Sequence, residues 1–196
     1  MIKPNGYDEA RVSGERTQIR LGGHYCVIKQ VSEKKSSTGK DMIVVLLDFD
    51  QNDDQAGLFK ARFDGDDRED KKWPFAGSKY IMVNDYNDPS KTSSSFKTFC
   101  SVVEKCNNFE IKWGDNWGAQ FKGKKIGAVY GNEESEYEGR RSMRPIVRWW
   151  CKLDAVEGAS IPEDKLLPGS TAKPAASNGD GWVNVAASIA DEEIPF

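Results

Sequence analysis

The chain has 196 residues, of which 38% are hydrophobic and 30% charged, a composition that excludes collagenous and wholly disordered classes. Its longest apolar run, Met42 to Leu47, is six residues, against the roughly 20 that a membrane span needs. No basic-then-apolar leader opens the N-terminus, so a cytoplasmic protein with no membrane partner is expected. The formal net charge of -3 hides a gradient: residues 91–152 carry 12 basic and 7 acidic side chains, so overall acidity does not exclude a polyanion partner.

Residues 1–20 read as an N-terminal arm. Gly23 to Glu33 and Asp41 to Asp50 are rich in β-branched and aliphatic residues, and Ser36-Ser37-Thr38-Gly39-Lys40 between them supplies turn chemistry, which predicts a hairpin. Leu58 to Phe63 alternates, with Phe59, Ala61 and Phe63 on one face and Lys60 and Arg62 on the other, so a half-buried strand is expected. Lys79 to Val83 is a further candidate strand. Ser93-Ser94-Ser95 offers capping hydroxyls ahead of Phe96, Phe99, Val102, Val103 and Cys106, whose spacing predicts one amphipathic helix. Phe121 to Tyr130 and Met143 to Leu153 read as two strands joined by a polar connection from Gly131 to Ser142. From Pro168 the chain turns to Pro, Gly, Ser, Thr, Ala, Asn and Lys with nothing bulky to bury, so 168–190 reads as a flexible linker.

Strands, one helix between the third and fourth, then strands again is the order of a five-stranded oligonucleotide-binding barrel. Another compact α+β fold meets the same composition.

Alternation along Arg144 to Leu153 sends Arg144, Ile146, Arg148, Trp150 and Lys152 to one face and Val147, Trp149, Cys151 and Leu153 to the other. The first face interleaves cations with an indole, which suits single-stranded nucleic acid: a base stacked on a ring contributes about 1–3 kcal/mol, and the flanking cation meets the next phosphate. Lys122, Lys124, Arg140, Arg141 and Trp73 join the candidate DNA contacts, with Trp113 and Trp117 as further stacking rings. Glu133, Glu134, Glu136 and Glu138 share the connection with Arg140 and Arg141, so that loop is either turned away from a phosphate chain or paired internally.

Catalytic and metal readings are weaker. Asp48-x-Asp50-x-Asn52 begins like a calcium loop, but Asp53 stands where glycine is needed and Phe59 where a bidentate Glu belongs. Thr38-Gly39-Lys40 lacks the upstream glycine of a phosphate-binding loop. Four cysteines (Cys26, Cys100, Cys106, Cys151) form no Cys-x-x-Cys pair, and His24 is the single histidine, so zinc and disulfide scaffolds are not expected. No enzyme activity, cofactor or metal is expected; a metal-dependent nuclease using the carboxylates from Asp48 to Asp70 is the enzymatic rival.

The terminus Asp191-Glu192-Glu193-Ile194-Pro195-Phe196 ends the linker with three carboxylates, an aliphatic residue, a proline and a phenylalanine. The Phe196 ring and α-carboxylate fit one pocket with apolar walls and a cation. Pro195 limits the freedom lost on docking, and the acids speed encounter with a basic surface. The same acids, on a flexible tether, also reach a basic DNA face of their own chain at high effective concentration.

This terminus resembles the acidic tip of bacterial and bacteriophage single-stranded DNA-binding proteins, which usually reads Asp-Asp-Asp-Ile-Pro-Phe; Glu192 and Glu193 keep the charge. Phe121 to Gly127, Arg144 to Trp150 and the Tyr25 to Leu47 hairpin look like the body of phage-encoded proteins of this kind. The resemblance implies a mainly β, Greek-key OB-fold over residues 21–167. It also implies a disordered tail, and a tip at 191–196 that recruits replication, recombination and repair proteins. A single-strand annealing protein and a protein-only adaptor are the other rivals, and a homo-oligomer is compatible with exposed sheet edges.

Overall fold

Among the described residues, 3–5, 7 and 17–170, the computed structural model is mainly β, with one five-stranded antiparallel sheet and two α-helices. The strands are β1 (Gly22–Lys35), β2 (Asp41–Phe49), β3 (Ser78–Met82), β4 (Lys125–Tyr137) and β5 (Arg140–Cys151). The helices are α1 (Leu58–Asp64) and α2 (Ser94–Asn107). The sheet order is β3-β2-β1-β4-β5. The proposed linker from 171 and the tip at 191–196 lie outside the described residues. No helix among them is long and apolar enough to cross a membrane.

The hairpin forms where its turn residues place it. Gly39 takes φ 79°, which costs glycine nothing, and Ser36 Oγ accepts the Lys40 amide at 3.0 Å, closing β1 against β2. A register shift between Ile28 and Gln30 marks a bulge in β1, the device that bends a strand and strengthens its twist. Before the bulge β1 pairs with both β2 and β4; beyond it β1 pairs with β2 alone. The edge strands meet where Lys79 Nζ on β3 donates to Val147 O on β5 at 2.6 Å, and nearby the Tyr130 hydroxyl on β4 donates to Ala76 O, just ahead of β3, at 3.1 Å. Ile28, Ile43, Val45, Leu47 and Ile126 are fully buried inside.

Helix α2 follows its capping signal. Ser93 Oγ accepts the Phe96 amide at 3.1 Å, and Phe96, Phe99, Cys100 and Val103 face inward. Phe99 reaches Phe121 at 5.5 Å and Trp150 at 5.4 Å between ring centroids. At its other end, Asn107 accepts the Lys125 amide at 2.8 Å and donates to Lys125 O at 2.7 Å. A helix side chain thereby stands in for a strand partner at the first residue of β4.

Three expectations are corrected. Leu58–Asp64 is a helix, not a strand: Phe59 and Phe63 also sit at i, i+4, and Asp48 Oδ1 accepts the Phe59 amide at 3.0 Å, satisfying one of the first-turn donors. The helix count is therefore two rather than one. Phe121 ends a 3-10 segment (Trp117–Phe121), and Gly123 at φ 80° turns the chain before β4 begins at Lys125. Finally, 131–142 is not a loop. β4 and β5 run on as a paired arm to a two-residue turn at Glu138 and Gly139, both at positive φ, the geometry that matches hairpin twist.

Candidate nucleic-acid interface

The phase of β5 decides which ring faces water. The ladder pairs Val129 with Trp149 and Tyr130 with Val147, so Arg148 is an extra residue on β5. A bulge of this kind shifts the side-chain alternation by one. Val147 and Trp150 therefore both point into the core, although they lie three apart. Trp150 is 8% exposed and packs on Phe99, so the expectation that it forms a stacking platform is corrected. Trp149, expected inside, is 43% exposed.

Other expected contacts divide by their partners. Trp73 is half-buried, donates Nε1 to Leu47 O at 2.9 Å and packs against Phe63, so its indole is engaged in the fold. Arg144, Arg140, Lys122 and Lys152 are exposed. Arg141 is exposed as well and pairs with Glu136 at 3.0 Å, while Lys124 Nζ sits 4.4 Å from the Phe109 ring centroid. Arg148 donates to two backbone carbonyls, Asn132 O at 3.1 Å and Glu163 O at 3.0 Å. Of the four glutamates, Glu136 is paired with Arg141 and Glu133 with Lys165, while Glu134 accepts the Leu167 amide, so two of the arm's carboxylates are met by cations.

The register places a second surface in view. Met42 faces Met82, Val44 faces Tyr80 and Leu46 faces Ser78 across β2 and β3, and the same row continues onto β1 as Lys34, Ser32 and Gln30. Directly opposed residues share a face. Ile43, Val45 and Ile81 fill the core from the other side, so this row is the outer one. Tyr80 is 49% exposed on it, and Tyr86, beyond the end of β3, is 82% exposed with Lys40 Nζ 4.3 Å from its ring centroid. Sequence reading missed Tyr80 and Tyr86. The signal was available in Lys-Tyr-Ile-Met-Val, where Ile81 as the core residue sends Tyr80 outward. A third aromatic group joins exposed Trp113 to Trp117 at 5.5 Å and to Phe96 at 6.2 Å.

The acidic loop is built inward. Asp48 accepts the Phe49 and Phe59 amides, and Asp50 accepts Lys125 Nζ at 3.0 Å. Asp53 accepts the Tyr25 and Gln55 amides and sits 3.0 Å from His24 Nδ1. Burial opposes ionisation of Asp53, yet the His24 ring and the Gln55 amide hold its carboxyl well below the usual range. Farther along, Asp64 is held by Lys60, and the Arg68 guanidinium beside Asp66 holds that carboxyl low, at about 2. His24, Asp53 and Asp54 bring ligand atoms within 4.8 Å of one another. A metal there would have to displace existing partners, because His24 Nδ1 already meets Asp53 at 3.0 Å and Asp54 is paired with Arg20. Burial also pushes the Cys100 and Cys151 thiols up to about 11, which disfavours thiolate ligands.

Neither a protein-family model nor a curated protein matches the chain.

Proposed function

We propose that residues 21–167 form an OB-type Greek-key barrel that binds single-stranded DNA with little sequence preference. In this reading the chain is a single-stranded DNA-binding protein of bacteriophage or bacterial type. Its tip, Asp191 to Phe196, recruits replication, recombination and repair proteins, and it catalyses no reaction.

The observation that carries the reading is the outer face of β2 and β3. An apolar row carries the exposed ring of Tyr80, and beyond the end of β3 lies the exposed ring of Tyr86 with Lys40 beside it. In barrels of this type that face and the flanking β1–β2 and β4–β5 loops hold oligonucleotides. The strand order, with α2 between β3 and β4, and the edge contact from Lys79 to Val147 support the barrel. Rings supply sequence-tolerant stacking, and the exposed cations Lys34, Arg140 and Arg144 supply backbone neutralisation. The nuclease alternative loses ground because Asp48, Asp50 and Asp53 are spent on backbone amides, Lys125 and His24.

Titrating the full chain with oligothymidylate at two salt concentrations tests it. Quenching of intrinsic fluorescence with affinity that falls as salt rises is expected. Absence of binding at low salt overturns the reading.

A further inference from the structure

At the seam where β3 meets β5, Lys79 and Arg148 have backbone carbonyls as hydrogen-bond partners. Lys79 is half-buried, and its ammonium donates to Val147 O at 2.6 Å. Arg148, on the next residue of β5, donates to Asn132 O and Glu163 O, and its stem lies over Gly131, where a Cβ would come within 3.0 Å of Arg148 Cγ. Lys165 is laid against the same place by the bonds Glu134 N to Lys165 O at 2.8 Å and Lys165 N to Asn132 O at 3.1 Å. Of the nearby carboxylates, Glu133 is paired with Lys165, and Asp164 accepts from the Asn132 side-chain amide at 3.1 Å.

Carbonyl dipoles satisfy donors but do not neutralise charge, and enclosed cations are normally matched by an anion. Lys79 shows the strain of this arrangement. Burial lowers its pKa, Glu133 opposes that, and the like charges of Lys165 and Arg148 lower it further.

We propose that this seam is a phosphate-binding notch in which Lys79 and Arg148 hold one phosphodiester of a bound single strand. The inference rests on the DNA-binding reading and adds a register: the backbone crosses the β3–β5 edge while bases reach the rings on the β2–β3 face.

Lys79→Gln and Arg148→Gln test it, because glutamine keeps a polar donor on a shorter stem while the charge is gone. In full-length protein, each variant is expected to bind oligothymidylate several-fold more weakly at low salt. Each should also show a slope of log affinity on log salt shallower by about 0.7, the value of one phosphate contact on a single strand. Lys105→Gln, on the exposed side of α2, serves as the control with wild-type affinity. A second measurement needs no DNA: sodium tripolyphosphate should raise the thermal midpoint above that in sodium chloride of equal ionic strength, and Lys79→Gln should lose that rise. If wild type binds DNA and both variants keep its slope, the notch is overturned while the barrel reading stands. If wild type binds no DNA, the DNA reading falls, and the polyphosphate result alone decides the notch: a rise lost in Lys79→Gln supports it, and no rise overturns it.

Discussion

The acidic loop at 48–54 and the cationic seam at β3–β5 handle charge in opposite ways. In the loop, Asp48, Asp50 and Asp53 are each met by N–H donors, and Asp50 and Asp53 also face Lys125 and His24. In the seam, the hydrogen bonds of Lys79 and Arg148 among the described residues go to carbonyl oxygens. In the sequence the loop is a dense run of acids, whereas Lys79 and Arg148 are isolated cations far apart. The accounting of partners separates a loop that is finished from a surface that still has an anion to meet.

The largest effect that tests this division is on stability, where the two tryptophans of β5 part company. Trp150→Ala should cost about 3–5 kcal/mol in urea unfolding, since it opens a cavity against Phe99, whereas Trp149→Ala should cost less than about 1 kcal/mol. Equal costs would undo the assignment of the bulge at Arg148.

Next comes the loop. Asp53→Asn should destabilise by about 3 kcal/mol at neutral pH, because the buried carboxylate that accepts from the His24 ring and from the Tyr25 and Gln55 amides is lost. The Asp53 carboxyl is depressed in the folded state, so its contribution is fully present above the ordinary carboxylate range. It is lost as pH falls from about 4 toward the depressed value. The gap between wild type and Asp53→Asn in chemical denaturation should therefore narrow on acidification; a gap independent of pH would contradict the pairing.

On the DNA side the effects are smaller. Tyr80→Ala should weaken oligothymidylate binding by about 1–3 kcal/mol while leaving the salt slope unchanged, because a ring carries no counterion. Smallest of all, removal of 191–196 should tighten DNA binding a few-fold by relieving competition from its carboxylates. Unchanged or weaker binding by the truncated chain would rule that competition out.

Much of the fold was legible because local chemistry and tertiary need agree there. Ser36 to Lys40 turns as its residues dictate, and Ser93 starts the helix whose Phe96, Phe99 and Val103 are buried. Leu58–Asp64 was misread because six alternating residues with Phe59 and Phe63 four apart satisfy both periods. What breaks the tie is Asp48, ten residues upstream, accepting an amide of the first turn. The phase of β5 was illegible for a related reason: alternation presumes an unbroken ladder, and the extra residue at Arg148 is imposed by the partner strand. Arg144 was placed on the exposed side correctly because it precedes the bulge, and Trp150 wrongly because it follows it. Tyr80 was legible from Ile81 beside it, whereas Tyr86 lies beyond the end of β3, where no alternation places it.

The Asn107 latch has a consequence for how this architecture can vary. Since its side chain both accepts from and donates to Lys125, the end of α2 and the start of β4 are one joint rather than two modules side by side. The helix is therefore not a removable insertion: trimming or lengthening it by a turn would pull the amide out of the joint and free the first rung of the β1–β4 ladder, so evolutionary or engineered changes of length have to fall in the connections on either side.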